Sequence, residues 1–482
     1  MNKKLIGLGL IVVSLIMIYM ATKSNEGGGS IIPPVTSPKY ELQHWESKQQ
    51  LKEDIKNLNL DIHNGECYRN WQPDAWSYEH CECINAQIEM ANELLKEDNI
   101  EEATQLLDYA RDNLQHLYEQ AYDCTDTSKA WSDYPQFIGD GVADWYCLYP
   151  APRDWLQPSK LIQAFAHYVD VVQDNKNKLQ NTNHLDYAER FKDFIFETHV
   201  KTLIDQTWQE YEVTKSDGTK EKRGCFGYII NGKVRCQNHN RVAQEYDILL
   251  YLYKWTGDKK YKDMYEKWAR YFKAALEVKQ DTEHLDAYYT WHYHDDDPDT
   301  DEDYDDCVEK GQDAWTCSGT AEMWKYTNFD LVPVLHGYKE NIFWTKNELK
   351  LFRNTLLKAA GSMRANVYEP STKELMEQNA KVIGWGAQIP RANSWSNEFA
   401  GTAQTWGWID LAMIDKEVFD FEEEIQHNEY TYQKQHNDFW RSSYYECVAN
   451  PLVDPENPIC KIYEQNPAWR MLAMVKLYKY AK

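Results

Sequence analysis

The chain has 482 residues, of which 43% are hydrophobic and 14% aromatic, so it has ample material for a large core. Its formal net charge of −25 argues against a nucleic-acid partner, because phosphate binding needs clustered lysine and arginine. The same charge disfavours long-range attraction of an acidic polymer. An acidic substrate would therefore need a locally basic groove.

An apolar run at residues 5–20 follows two lysines at the N-terminus. Together with the next two residues, the run is long enough for a membrane-spanning helix, and the lysines favour a cytoplasmic start. No small-x-small cleavage site follows, so we predict an uncleaved signal anchor at residues 1–24, with a cleaved signal peptide as the alternative. Residues 25–39 are predicted to be a flexible linker. Residues 40–482 are predicted to form one domain on the extracytoplasmic side of a membrane.

The 11 cysteines fall mostly into local pairs, which is typical of disulfides formed in an oxidising compartment. The predicted pairs are Cys67 with Cys81 or Cys83, Cys124 with Cys147, Cys225 with Cys236, Cys307 with Cys317, and Cys447 with Cys460. The leftover thiol is predicted to be Cys81 or Cys83. Zinc sites favour Cys-x-x-Cys spacing, which Cys81 and Cys83 lack, and we predict no metal site.

Apolar residues recur at helical spacing through most of the chain, and the predicted helices come in pairs. They cover residues 40–58, 84–96, 100–122, 158–174, 184–211, 238–255, 259–278, 328–339, 346–363, 395–414, 430–447 and 466–480. About six helix hairpins predict an all-α fold, an (α/α) toroid or incomplete barrel. A small β-hairpin is predicted between Cys225 and Cys236, turning at Asn231-Gly232. An α-solenoid is the rival fold, but no repeat of fixed period is present.

Asn238 and His239 stand at the start of one predicted helix. His239 precedes Val242 by three positions and Tyr246 by seven, so it lies on the apolar face of that helix, in its first turn. Asn238 is well placed as an N-cap. The motif suits a cavity mouth, and the structural alternative is a helix cap with a histidine packed beneath a loop.

A dense group of rings follows at residues 287–294, Ala-Tyr-Tyr-Thr-Trp-His-Tyr-His. Tyr293 comes 54 positions after His239, by subtraction. An amide, an imidazole and a phenol are the groups that remove a proton next to a carboxylate. An aromatic plug at a helix end is the structural alternative.

The segment 237–243, Gln-Asn-His-Asn-Arg-Val-Ala, resembles the Asn-His helix start of alginate-lyase-like polysaccharide lyases, which have an (α/α) toroid. Residues 289–293 resemble the Trp-x-Tyr segment that supplies the tyrosine in that family. Residues 328–330 and 342–358 are similar to the two helices that follow the family's Ser-His motif. The resemblance covers about residues 225–360. Lys325 and Tyr326 occupy the place of the Ser-His motif, so Tyr326 would have to replace its histidine.

The resemblance implies β-elimination at a uronic acid of a polysaccharide, with no cofactor. Asn238 would hydrogen-bond the C6 carboxylate, and His239 would supply a donor or a base. Tyr293 would act as base, acid or both. Free tyrosine has a pKa of about 10, so its anion needs a nearby cation, for which Arg235 and Arg241 are candidates by sequence proximity.

Further substrate contacts are predicted from Trp291 and from the tryptophan-rich region that contains Arg391 and Trp395, where packed helix interfaces are an equal alternative. A second functional hypothesis is a glycoside hydrolase with two carboxylic acids. Its candidate residues are Asp140, Asp144, Glu322 and Glu398. A third is a non-catalytic surface protein that binds glycan. The acidic run at 295–306 is predicted to be a solvated loop rather than a calcium site, because it lacks EF-hand spacing.

Overall fold

The computed structural model describes most of the chain from residue 37 onward. The described residues are 37–61, 65, 67, 78–121, 156–230, 233–237, 239–280, 286–291, 324–359, 362–368, 375–383, 405–436, 447–450, 454–460 and 467–482. Within them the fold is mainly α-helical, with short antiparallel strand pairs between helices. The predicted helical class is therefore confirmed. The predicted anchor, and the predicted linker up to residue 36, lie outside the described residues.

The principal helices alternate with short connections along the chain. They are α1 (Lys48–Asp61), α2 (Tyr78–Lys96), α3 (Ile100–Glu119), α4 (Leu156–Asp174), α5 (His184–Phe194), α6 (His239–Thr256), α7 (Lys259–Ala275), α8 (Trp324–Lys339), α9 (Lys346–Asn354), α10 (Lys416–His436) and α11 (Pro467–Tyr480). Two π-helical segments, Ile195–Ile204 and Thr355–Ala359, continue α5 and α9, and a 3₁₀ helix spans Ile409–Met413.

The strands form small antiparallel sheets beside the helices. They are β1 (Trp208–Thr214), β2 (Lys220–Ile230), β3 (Lys233–Cys236), β4 (Glu277–Lys279), β5 (Tyr288–Thr290), β6 (Ser362–Tyr368), β7 (Leu375–Ile383), β8 (Cys447–Asn450) and β9 (Asp454–Cys460). The predicted hairpin is confirmed as β2–β3, and β1 extends it to three strands. Gly224 is required there, because a Cβ would lie 2.3 Å from the Trp208 indole.

Five helices, which we call the inner helices, pack against one another in a closed series. They are α2, α4, α6, α8 and α11. In this series α2 packs on α4, α4 on α6, α6 on α8, and α11 returns to α2. The segment around the 3₁₀ helix completes the series, because it packs on α11 and its Gly407 backbone N–H donates to Asn328 Oδ1 of α8 at 2.7 Å. Helix α3 packs on α2, α5 on α4, and α7 on α6.

Helix α6 is buried on nearly all sides. Its apolar stripe, in contrast, predicts a helix that is buried on one face only. The predicted stripe is buried up to Leu250, while Tyr253 is half-buried. The opposite face is buried too, since α4, α7 and α8 all pack on this helix. Buried polar side chains on α6, such as Glu245 and Asp247, therefore need partners inside the protein.

Several predicted helix boundaries are wrong, because short strands compete with helix continuation. The helix predicted at 184–211 gives way to β1 at Trp208, where inward and outward residues alternate with period two. The helix predicted at 346–363 gives way to β6 at Ser362. The helix predicted at 430–447 instead starts at Lys416 and ends at His436.

Two other predicted helices also differ at their ends. The first helix begins at Lys48 rather than at residue 40, because Tyr40 pairs with Ala481 in a β-bridge. Of the helix predicted at 395–414, the described part forms only turns and the 3₁₀ helix.

Two disulfides are present among the described residues, Cys67–Cys83 and Cys225–Cys236. Both were predicted, the first as one of two alternatives, and Cys81 keeps a buried thiol. Cys447 and Cys460 face each other as backbone partners in β8–β9. The other predicted pairs lie outside the described residues. Two disulfides are typical of a protein outside the reducing cytosol.

No helix in the described part of the chain is long and apolar enough to cross a membrane. The predicted anchor at residues 1–24 lies before the first described residue and remains a prediction.

Thr345 caps the start of α9 with a full capping box. The Thr345 side chain accepts from the Glu348 backbone N–H, and the Glu348 carboxylate accepts from the Thr345 backbone N–H. Replacing Thr345 with alanine is expected to lower the free energy of unfolding by about 1 kcal/mol. Urea denaturation measures this, with the exposed Asn347→Ala in the same turn as the matched control. An equal loss in both variants would contradict a capping role.

Candidate active site

The N-terminal halves of the inner helices share a buried polar network. Lys160 Nζ of α4 donates to Glu82 Oε1 of α2 at 2.7 Å, and both side chains are almost fully buried. The same Nζ lies 3.3 Å from the ring centroid of Phe329 on α8. A buried ammonium is tolerated only with such partners. These contacts bring the starts of α2, α4 and α8 together.

A second group joins α4, α6 and the π-helical segment. Ser159 Oγ donates to Glu245 Oε1 at 2.5 Å, and His199 Nε2 hydrogen-bonds the other Glu245 oxygen. All three side chains are buried. His199 projects from the π-helical segment Ile195–Ile204, and such segments occur frequently at functional sites. Glu245, in the second turn of α6, is therefore held by partners from α4 and from the π-helical segment.

His239 is the first residue of α6 and is only 3% exposed. Its ring packs on two aromatic residues of α7, with centroid distances of 5.3 Å to Tyr271 and 4.9 Å to Phe272. The predicted position of His239 in the first helical turn is confirmed, while its catalytic role stays a prediction.

Trp291 directly follows β5 and is completely buried. Its indole Nε1 donates to Asp330 Oδ2 at 2.9 Å. Its ring centroid lies 5.7 Å from that of Phe352 and 6.2 Å from that of Trp408. The indole thus holds the end of β5 against α8, and its predicted contact with substrate remains untested. Tyr293, two residues later, lies outside the described residues.

Asp330 is the buried hydrogen-bond partner of Trp291. Its side chain is 1% exposed, and among the described residues its Oδ1 has no hydrogen-bond partner. Burial raises the pKa of this carboxyl from 3.8 to about 7, although the charge of His239 and the Trp291 donor both act to lower it. At neutral pH this carboxyl therefore exists in both protonated and ionised forms.

The start of α8 is fixed from its other side by the segment before the 3₁₀ helix. Trp408 Nε1 donates to Thr327 Oγ1 at 2.9 Å. Gly407 is needed at its position, because a Cβ there would lie 2.7 Å from the Asn328 backbone. These contacts hold the first turns of α8, and with them Asp330, against the rest of the domain.

The other predicted site residues are only partly described. Arg241 is half-buried in the first turn of α6. Tyr326 has its backbone at the start of α8, and its side chain lies outside the described part. Also outside are Asn238, Arg391 and Trp395, and the hydrolase candidates Asp140, Asp144, Glu322 and Glu398.

Sequence reasoning missed the residues that connect the helices, notably Asp330, Lys160 and Glu245. A signal was present, since Asp330 interrupts the apolar stretch Phe-Asp-Leu-Val of α8, and Lys160 directly precedes a buried Leu-Ile pair. A charge in such a stretch needs a buried partner. The partner itself lies on another helix, so the sequence alone does not name it.

The chain matches no protein-family model and no curated protein. The solved structures that align over 90% of it include a family 88 glycosyl hydrolase from Bacteroides vulgatus, a family 76 glycoside hydrolase (mannosidase) from Bacteroides thetaiotaomicron, and a polysaccharide lyase. Their identities are 12%, 12% and 11%, their TM-scores 0.42, 0.43 and 0.41, and the alignments cover 100%, 97% and 97% of their lengths. Similarity at this level does not assign a fold or an activity.

Proposed function

We propose that the protein is a polysaccharide lyase with an (α/α) toroid fold that cleaves a uronic-acid-containing glycan by β-elimination. One observation carries the proposal: His239 and Trp291, which comes two residues before Tyr293, pack on the same ring, Phe272 of α7, with centroid distances of 4.9 and 6.1 Å. His239 and Tyr293 are 54 positions apart, by subtraction, and the proposal assigns them to one site. The closed series of inner helices supports the toroid.

The chemistry begins at the C5 proton of the uronate, which is too weakly acidic to leave unaided. Asn238 and His239 would hydrogen-bond the C6 carboxylate and stabilise the enolate-like charge that develops there. Tyr293, as its anion, would remove the C5 proton. The electron pair forms the C4–C5 double bond as the C4–O4 bond breaks. Tyr293 then returns a proton to the leaving oxygen, which regenerates the anion.

The acidic chain must offer positive charge locally to hold a uronate. Arg241 stands in the first turn of α6, two residues after His239. Backbone N–H groups at a helix start also favour an anion. The start of α6 is thus a suitable place for the substrate carboxylate, despite the net charge of −25.

A glycoside hydrolase is the second candidate, and Asp330 is the observation that favours it. A carboxyl whose pKa is raised to about 7 has the property that a general acid needs at neutral pH. Its complete burial and its bond to Trp291 point to a supporting role instead. The lyase proposal is therefore preferred.

The full-length protein should be incubated with a panel of uronic-acid polymers while ultraviolet absorbance is recorded. We expect a rising band from the unsaturated product, which elimination alone produces. His239→Gln is expected to suppress it, while His44→Gln, a half-exposed histidine bonded to Glu423, should not. New reducing ends without the band would indicate hydrolysis. Neither signal with any polymer would count against both enzymatic proposals.

A further inference from the structure

We propose that a narrow groove between α1, α2 and α3 binds a medium-chain carboxylate that carries a carbonyl oxygen near its other end. Lys56 at the mouth of the groove holds the carboxylate, and the side-chain amide of Asn59 donates to the carbonyl oxygen. The residues that line this groove are separate from those of the candidate active site. The inference therefore does not depend on the proposed function.

The groove follows from the way α1 is held in the fold. Helix α1 packs on α11, whereas α2 and α3 pack on each other. Ion pairs connect the N-terminal half of α1 to the end of α2 and the start of α3, since Lys48 Nζ lies 2.7 Å from Glu97 and Lys52 Nζ lies 2.7 Å from Glu102. About 580 Å³ of empty space, part of it open to solvent, lies between these helices.

The wall of the groove is mainly aliphatic. Among the described residues that line it, Tyr109 is the one aromatic residue. Methionine side chains adapt to irregular shapes, and each CH₂ group of a ligand that is buried strengthens binding by about fourfold. The wall therefore suits a flexible alkyl chain. Its apolar residues are Ile55, Ala86, Met90, Leu94, Leu106 and Met471.

Asn59 provides a hydrogen-bond donor at the inner end of the groove. Its side chain is 3% exposed, and its Oδ1 accepts from Gln87 Nε2 at 2.9 Å. The Gln87 amide is itself oriented, because its Oε1 accepts from Asn113 Nδ2 at 3.1 Å. Asn59 therefore directs its Nδ2 away from Gln87, and in the described part of the chain this amide has no acceptor. A carbonyl oxygen of a ligand would supply one.

The mouth of the groove has an excess of positive charge. Lys52 and Lys56 are both lining residues there, and they face one carboxylate, Glu102. Glu102 Oε2 accepts from Lys52 and from Asn99, each at 2.7 Å, and the Lys52 hydrogen bond helps to keep the Glu102 pKa below its ordinary value. Lys56 Nζ lies 3.9 Å from Glu102 Oε1, beyond hydrogen-bond distance, and its side chain is 51% exposed. Lys56 can therefore bind a carboxylate without displacing Glu102.

The spacing of the two ends sets the length of the ligand. The ammonium groups of Lys52 and Lys56 both lie near Glu102. Asn59 follows Lys52 by seven positions on α1, by subtraction, which corresponds to about 10 Å along the helix. An unbranched acid of about eight carbons spans this distance. We therefore choose 7-oxooctanoate as the probe.

The first measurement is calorimetric titration of the full-length protein with three probes. They are 7-oxooctanoate, octanoate, which lacks the carbonyl oxygen, and methyl 7-oxooctanoate, which lacks the charge. We expect saturable one-to-one binding of 7-oxooctanoate, about fivefold tighter than octanoate and about two- to fivefold tighter than the ester.

Two variants test the two ends of the groove. Lys56→Gln is expected to bring the affinity for 7-oxooctanoate down to that for the ester. Lys262→Gln, which removes a lysine at the same 3.9 Å from its carboxylate on α7, is the matched control and should change neither. Asn59→Asp keeps the acceptor for Gln87 but removes the donor, so the preference for 7-oxooctanoate over octanoate should disappear. Asn57→Asp adds the same charge at an exposed position of α1 and should keep that preference.

Methyl NMR locates the bound probe. The full-length protein is labelled at the methionine ¹³C-methyl groups, and the signals of Met90 and Met471 are assigned by substitution with leucine. We expect both signals to shift as 7-oxooctanoate is added, with the same midpoint as the calorimetric titration. Met264, which is buried in α7, should give an unchanged signal.

Several results would overturn the proposal. One is the absence of saturable binding of either acid to the wild-type protein. Another is equal affinity for the acid and its ester, with no effect of Lys56→Gln. Shifts at Met264 without shifts at Met90 and Met471 would place the ligand elsewhere. Signals of Met90 and Met471 that change only with protein concentration would assign the groove to a second copy of the chain instead.

Discussion

Tyr293→Phe is expected to slow elimination by about 10²- to 10⁴-fold, the usual contribution of one positioned proton-transfer group. The substitution removes only the hydroxyl and keeps the aromatic ring. The substrate Michaelis constant should change little, because the phenol oxygen acts on the C5 proton and the leaving oxygen rather than on the uronate carboxylate. Initial rates of absorbance increase on the best polymer of the panel measure the effect.

Tyr289→Phe is the matched control for this substitution. Tyr289 lies in β5 on the same segment, and its ring packs on Phe352 in the core. Burial raises its pKa to about 12, with Glu348 adding to the effect, so it does not ionise at neutral pH. We expect the control to keep nearly the full rate. Equal losses in the two variants would assign the effect to local packing, and a fully active Tyr293→Phe would exclude the phenol from the reaction.

Asp410→Asn is expected to reduce the free energy of unfolding by about 3–5 kcal/mol, because it leaves buried ammonium groups without their counter-charge. Lys479 Nζ lies 2.7 Å from Asp410 Oδ1 and Lys339 Nζ 3.6 Å, while Lys476 bonds Oδ2. Burial alone would raise the Asp410 pKa, but these three lysines hold it well below its ordinary value. Burial in turn lowers the pKa of Lys339 to about 8, with Lys479 and Lys476 contributing.

The sign of the pH dependence follows from the lowered pKa of Asp410. Its stabilising contribution is present above the unfolded pKa and is lost as the pH falls through the folded value. Urea denaturation at neutral and acidic pH should therefore show the variant and wild type converging in acid. Asp420→Asn, which removes a partly exposed i,i+4 partner of Lys416, should cost only about 0–1 kcal/mol. A comparably small loss for Asp410→Asn would mean that water already solvates the lysines.

The helical architecture could be predicted, because apolar residues that recur at helical spacing over a long stretch indicate a helix. Helix α3, predicted at 100–122, ends at Glu119, and α7 begins at its predicted residue, Lys259. The wrong predictions concern short segments, whose sequence pattern is too brief to identify a strand. β8 and β9 have only a few residues each, and their pairing depends on partners that local propensity does not identify.

The candidate site could be predicted only in part, for a related reason. His239 and the Trp291 segment were found because each is unusual within its own stretch of sequence. Asp330 and Lys160 are ordinary single charges until helices from distant parts of the chain are packed side by side. The structural role of these two residues depends on which helices pack together, and the tertiary structure determines that.

The return of α11 to the start of the domain has a consequence for how the chain folds. Lys39 Nζ donates to the Lys479 backbone carbonyl, a bond that spans 440 positions, and α11 packs on both α1 and α2. Contacts of such separation carry a large loop-closure entropy and slow folding. The part of α2 that α11 covers therefore stays exposed until α11 has been synthesised, although α3 and α4 can already pack on α2. Transiently exposed apolar surface of this kind promotes aggregation.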